Sequence, residues 1–187
     1  MSTVIRNASI IDGTGAPAFN GELLLEAERI VAISSEARLL KGDLEVDAHG
    51  LVLAPGFIDY MSHTLLPLFI DKRSLSKVVQ GVTTEIMGEG ATPAPYGGKC
   101  RNLLEVYGQD LPREWVERSH SWARFSDWLE AVAKDGVGVN IGSFVGGGTL
   151  REYVKGMTMG ACTPEELEAL RRVSREVMED GAFGVAF

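Results

Sequence analysis

The sequence predicts an α/β protein: a β unit over roughly its first third, then strands alternating with helices. Three observations carry this expectation. Up to Ala54 the chain is a series of short apolar runs divided by turn residues. After Pro55-Gly56 the rhythm lengthens to strand, helix, strand, helix, which implies parallel βα units. Near the C-terminal end, Thr163-Pro164-Glu165-Glu166 reads as a capping box with proline at the first helical position.

Taken in order, Val4 to Ile11 is an apolar strand stopped by Asp12-Gly13-Thr14-Gly15. Leu23 to Glu26 and Arg29 to Ile33 flank Ala27-Glu28 as a hairpin. Leu44 to Asp47 and Leu51 to Ala54 are two further short strands, and strands this close together imply antiparallel pairing. Phe57 to Ser62 begins the second part as a strand. Lys72 to Gln80 follows as a helix ended by Gly81, and Val82 to Met87 as a β-branched strand. Gly88 to Gly98 is a loop rich in Gly and Pro. Phe125 to Lys134 places Phe125, Trp128, Leu129 and Val132 on one helical face, with Gly136 just past its end. Val137 to Phe144 is a third strand running into Gly146-Gly147-Gly148. In the last helix Leu167, Leu170, Val173 and Val177 keep a 3–4 spacing up to Gly181, and Ala182 to Phe187 starts a fourth strand. The expected division is residues 1–54 and 55–187.

Composition narrows the function classes. The chain has 187 residues, 18 Lys+Arg against 26 Asp+Glu and a formal charge of −8, with no basic patch for a phosphate backbone. No apolar run approaches the ~20 residues of a membrane span, and the start Met1-Ser2-Thr3-Val4-Ile5-Arg6 does not read as a secretory signal. Two cysteines, Cys100 and Cys162, are too few for a disulfide scaffold, which points to a reducing, cytoplasmic setting. Nucleic-acid and membrane partners are therefore not expected.

In parallel βα architectures chemistry gathers where strands end. Asp59, Met61 and His63 stand at i, i+2 and i+4, so on one continued strand they share a face. A single histidine leaves two readings, metal ligand or buried hydrogen-bonded residue. Glu85 and Glu89 share a face of the next strand if it extends that far. Glu85 reads as a paired carboxylate, while Glu89 stays open between a metal ligand or base and a solvated loop residue. Gly146-Gly147-Gly148 lacks both the P-loop ending and the GxGxxG spacing, so backbone adaptability near a pocket is the expectation. His49 and His120 are expected at the surface, and Trp115, Trp122 and Trp128 in packing.

These residues also carry a family resemblance. Val4-Ile5-Arg6-Asn7 with Ile11-Asp12-Gly13-Thr14-Gly15-Ala16-Pro17, Val46-Asp47-Ala48, and Val52-Leu53-Ala54-Pro55-Gly56-Phe57-Ile58-Asp59 resemble the opening of amidohydrolase-superfamily enzymes close to N-acyl-D-amino-acid deacylases (D-aminoacylases). Gln80-Gly81-Val82-Thr83-Thr84, Phe144-Val145-Gly146 with Thr149-Leu150-Arg151, and Asp180-Gly181-Ala182-Phe183-Gly184 resemble that family's second, third and fourth barrel-strand motifs, in the same order.

The resemblance implies a β-sandwich segment in residues 1–54 and the first half of a (β/α)8 TIM-type barrel in residues 55–187. It implies one or two zinc ions and hydrolysis of N-acylated D-amino acids or related small amides by a metal-activated water. The family's first-strand His-x-His falls on Met61 and His63, so His63 is the surviving ligand. Its Asn-Cys-Gly falls on Glu89-Gly90-Ala91, which makes Glu89 the replacement ligand, and its Gly-His falls on Gly146-Gly147. Asp59 is assigned to orienting the site, and the family's catalytic aspartate has no counterpart before Phe187. About 250 residues make a whole barrel, so the missing C-terminal half or an associating chain is expected to complete this one. The alternative is a non-catalytic barrel fragment or pseudoenzyme that binds a partner or ligand.

Overall fold

Asn7 sets the shape of the first unit. The computed structural model describes residues 1–187, which separate into two compact units, Met1–Gly56 and Phe57–Phe187. In the first, β1 (Ser2–Ile10) is central. It pairs antiparallel with β2 (Phe19–Glu26), but the register shifts between Ile5 and Ala8, where Asn7 adopts φ 59°. Asparagine tolerates the left-handed region, and such a bulge twists the strand. The Asn7 side chain donates to Asp47 Oδ1 at 2.8 Å. Strand β3 (Arg29–Ser34) extends the sheet as a hairpin through Ala27, also at positive φ. The expectation of a wholly antiparallel unit is corrected: β4 (Leu44–Asp47) and β5 (Val52–Leu53) both pair parallel to β1. The connection over residues 35–43 returns the chain to the far side of β1, so β4 runs in the same direction as β1. Glu22 stitches that connection down. It accepts from the N–H groups of Arg38 (3.2 Å) and Leu40 (2.5 Å) and pairs with Arg6.

In the second unit β6 (Phe57–Asp59), β7 (Val82–Met87) and β8 (Asn140–Ser143) form a parallel sheet in sequence order. Strand β9 (Val145–Gly146) follows β8 after Phe144 and pairs parallel with β10 (Val185–Ala186). All three strand pairings of this unit are parallel, and helices separate β6 from β7, β7 from β8 and β9 from β10. The helices are α1 (Leu65–Ile70), α2 (Leu75–Val78), α3 (Leu103–Tyr107), α4 (Arg113–Ser119), α5 (Phe125–Asp135), α6 (Gly147–Lys155) and α7 (Pro164–Glu179). The expected helix over Lys72 to Gln80 is replaced by α1 and the single turn α2. Leu65, Leu68 and Phe69 of α1 are buried, whereas no residue of α2 is. The tryptophans pack as expected: Trp115, Trp122 and Trp128 are buried, and the Phe69 ring lies 4.7 Å from that of Trp115. Helix α7 begins with the reciprocal bonds of a capping box, Glu166 N–H to Thr163 Oγ1 (3.2 Å) and Thr163 N–H to Glu166 Oε2 (3.0 Å). No helix is long and apolar enough to cross a membrane.

Candidate functional site

The candidate residues sit just past the C-terminal ends of β6 and β7. Pairing of the two strands ends at Asp59 opposite Glu85. A turn follows, with the Met61 N–H donating to Asp59 Oδ1 at 3.3 Å, an Asx-type contact that stops a strand. The expectation of one shared face along Asp59, Met61 and His63 is thereby corrected, because β6 ends two residues before Met61. Met61 is exposed.

On the neighbouring strand, β7 ends at Met87 and Gly88 turns the chain at φ 99°. A Cβ at Gly88 would lie 2.0 Å from the Phe144 carbonyl oxygen, so only glycine fits this turn. Glu85 and Glu89 consequently part company. Glu89 enters an exposed turn held by the Ala91 N–H donating to its carbonyl (2.8 Å) and by the Gly148 N–H donating to Gly90 O (2.8 Å). That turn packs on Gly146, where a Cβ would come within 2.4 Å of Ala91.

The two turns bring His63 and Glu89 together, Nε2 to Oε2 at 3.2 Å, with both side chains accessible. An imidazole nitrogen and a carboxylate oxygen are both zinc donors in kind. They are two where a zinc site takes three or four, and no third His, Cys, Asp or Glu converges on them. Residues 1–187 thus supply a partial donor set. Gly147 has no side chain to offer as a third donor.

Asp59 and Glu85 take different environments. Lys77 Nζ donates to Asp59 Oδ2 at 2.5 Å, and this bond holds the Asp59 carboxyl below the usual carboxylate range despite partial burial. Glu85 is fully buried and meets no cation. Its Oε2 accepts from the hydroxyls of Ser62 (2.5 Å) and Thr64, which lie 2.8 Å from each other, while Oε1 has no partner. The sequence reading singled out neither hydroxyl. A Ser-His-Thr run beside a buried strand glutamate is a signal only once the two strands are known to be neighbours.

The other titratable candidates stay apart from this pair. Cys100 donates weakly to the Thr149 carbonyl (3.4 Å), and burial pushes its thiol up to about 12, which suits packing and not nucleophilic attack. His120 lies against Glu105 (3.0 Å) and edge-on to Tyr96, partly exposed, and His49 is exposed in a turn. A cavity of about 320 Å³ opens between the 91–107 segment and α6, lined by Pro95, Tyr96, Tyr107 and the Arg101–Glu152 ion pair (2.6 Å).

No family model matches the chain. It is 38% identical over 185 residues to N-acyl-D-aspartate deacylase of Alcaligenes xylosoxydans xylosoxydans, covering 98% of this chain and 36% of that protein. Its fold resembles that of an N-acyl-D-glutamate deacylase from Bordetella bronchiseptica, solved with zinc and a phosphonate inhibitor that mimics the tetrahedral intermediate (TM-score 0.80, 28% identity). It also resembles a D-aminoacylase structure described for the role of its binuclear metal centre (TM-score 0.79, 30% identity). Each structural match covers 98% of this chain and 37% of the other, so these 187 residues span little more than a third of the relatives' length.

Proposed function

This chain is a relative of the D-aminoacylase-type amidohydrolases over 98% of its length, and on that premise we propose that it is the N-terminal portion of a metal-dependent hydrolase acting on the C–N bond of N-acyl-D-amino acids or related amides. The observation that supports this most directly is the meeting of His63 with Glu89 at the ends of adjacent parallel strands. In this reading residues 1–54 are part of a β-sandwich and residues 55–187 are the first four βα units of a barrel. His63 and Glu89 hold a zinc ion jointly with donors from the remainder of the protein or an associating chain. When bound, the ion supplies a water of lowered pKa and polarises the amide carbonyl.

The roles of this chain's own residues follow from their contacts. Asp59, tied to Lys77, orients the loop that carries His63. Glu89 is fixed by the turn on Gly88, Gly90 and Gly146. No proton-transferring base is assigned among residues 1–187. The two free cysteines accord with a cytoplasmic setting.

The test is hydrolysis of a panel of N-acetyl-D-amino acids by the full-length protein, before and after dialysis against a chelator. Activity lost on chelation and restored by zinc, with His63→Ala losing both metal and activity, is the expected outcome. An inactive protein that takes up no zinc would instead favour a non-catalytic binding protein. That second reading draws on Met61, Gly90 and Gly147 standing where the resemblance places ligands.

A further inference from the structure

We infer that Glu85 is a positioning residue: it clamps the chain on both sides of His63 and so aims that imidazole at Glu89. The inference rests on the reading of His63 and Glu89 as the metal-facing pair. Ser62 and Thr64, the two sequence neighbours of His63, send their hydroxyls to the same oxygen of Glu85. The 2.8 Å contact between the hydroxyls closes the triangle. The Ser62 N–H adds a backbone bond to Ile86 O at 2.9 Å, next to Glu85 on β7. With both neighbours turned inward, the His63 side chain is left projecting outward, 73% exposed, and it reaches Glu89.

Two further observations separate a clamp from ordinary core packing. Thr64 is the N-cap of α1, yet its side chain makes no capping bond to the helix. A threonine there normally serves the first turn, and here its hydroxyl goes to Glu85. Glu85 itself has no cationic partner, and Oε1 has no partner of any kind, so the two hydroxyls are the only donors this fully buried carboxyl receives. Carrying a buried carboxyl on such terms is costly, which is the expense of a device that fixes a neighbour. Glu85 and Glu89 also lie on one strand and its turn, so the clamp sets the imidazole relative to the carboxylate it meets.

The experiment uses the full-length protein and measures zinc affinity by competition with a chromophoric chelator, alongside ring relaxation of 13C-labelled histidine in the metal-free state. Glu85→Ala is expected to weaken zinc about 10- to 100-fold, the usual effect of removing a group that orients a ligand, and to release the His63 ring into faster motion. Glu85→Gln, whose amide oxygen still accepts both hydroxyls, is expected to recover most of the affinity. Thr163→Ala weakens a distant helix cap in the same unit and serves as the control, lowering stability while leaving zinc affinity and His63 order unchanged. If Glu85→Ala does not fold, Ser62→Ala and Thr64→Val each remove one arm of the clamp and give the same readouts. Unchanged affinity and an unchanged His63 ring in the folded variants overturn the inference. If His63→Ala binds zinc as tightly as the native protein, the metal reading of His63 fails, while the relaxation data still decide whether Glu85 orients it.

Discussion

Cys100 and Asp135 show how neighbours set the chemistry of single residues. Cys100 sits beneath α6 with its thiol pushed up to about 12 by burial, so thiolate is scarce at neutral pH. Iodoacetamide at pH 8 is expected to leave Cys100 unmodified in the folded protein and to label it after denaturation, as read by peptide mass spectrometry. Asp135 closes a cluster with Arg118 (3.0 Å) and Lys72 (2.9 Å), and those bonds, Arg118 first, hold its carboxyl down at about 2. A folded-state value below the unfolded one, near 3.9, stabilises the fold above that pH and is lost as pH falls from about 4 towards 2. Asp135→Asn should therefore cost about 1 kcal/mol or less at pH 7, allowing for solvent screening, and clearly less at pH 2, where the carboxyl is about half protonated in the folded state, measured by denaturant titration at both. At the level of single residues, the sequence points to His63 and Glu89 as candidates, and the structure places them 3.2 Å apart by a route that strand alternation does not give. Their encounter depends on turns at Tyr60–Met61 and Gly88, whereas strand alternation alone would have set His63 in line with Asp59.

Elements were legible where their signals are local. Helix α7 carries its start in Thr163 and Glu166, proline at its first position and an apolar stripe ending in the buried Val173 and Val177. Thr163→Ala removes one capping acceptor and is expected to cost about 1 kcal/mol, read as a lowered denaturation midpoint with unchanged m-value. Helix α5 was equally readable, because Phe125, Trp128 and Val132 fall on one buried face. Helix α1 was not: six residues with proline at its third position give no periodic pattern, and it is helical because Leu65, Leu68 and Phe69 pack into the tryptophan cluster. The short helix starting at Gly147 was hidden for a related reason. Glycines there predict a loop, but the crowding around residues 146–148 demands residues without side chains.

For the molecule as a whole, each unit has its own core, Val4, Ala8 and Ile10 in the first and the aromatic cluster around Trp128 in the second. In the second unit the outer strands leave large apolar side chains in water: Phe57 and Ile58 on β6 are 62% and 64% exposed, and Phe187 beyond β10 is 89% exposed. Surfaces of this kind associate, so a chain of these 187 residues alone is expected to form concentration-dependent oligomers in light scattering after size exclusion. A monodisperse monomer at all concentrations would contradict this. The α/β class, the parallel alternation of strands and helices, the capped helix α7 and the likeness to D-aminoacylases are readable without a structure, because they are written in local turn residues, period and motif order. That β4 and β5 run parallel to β1, that Glu85 lies buried against Ser62 and Thr64, and that His63 meets Glu89 emerges only in the folded chain. Each of these is a contact between segments distant in sequence, set by which strands become neighbours and where glycine lets the chain turn.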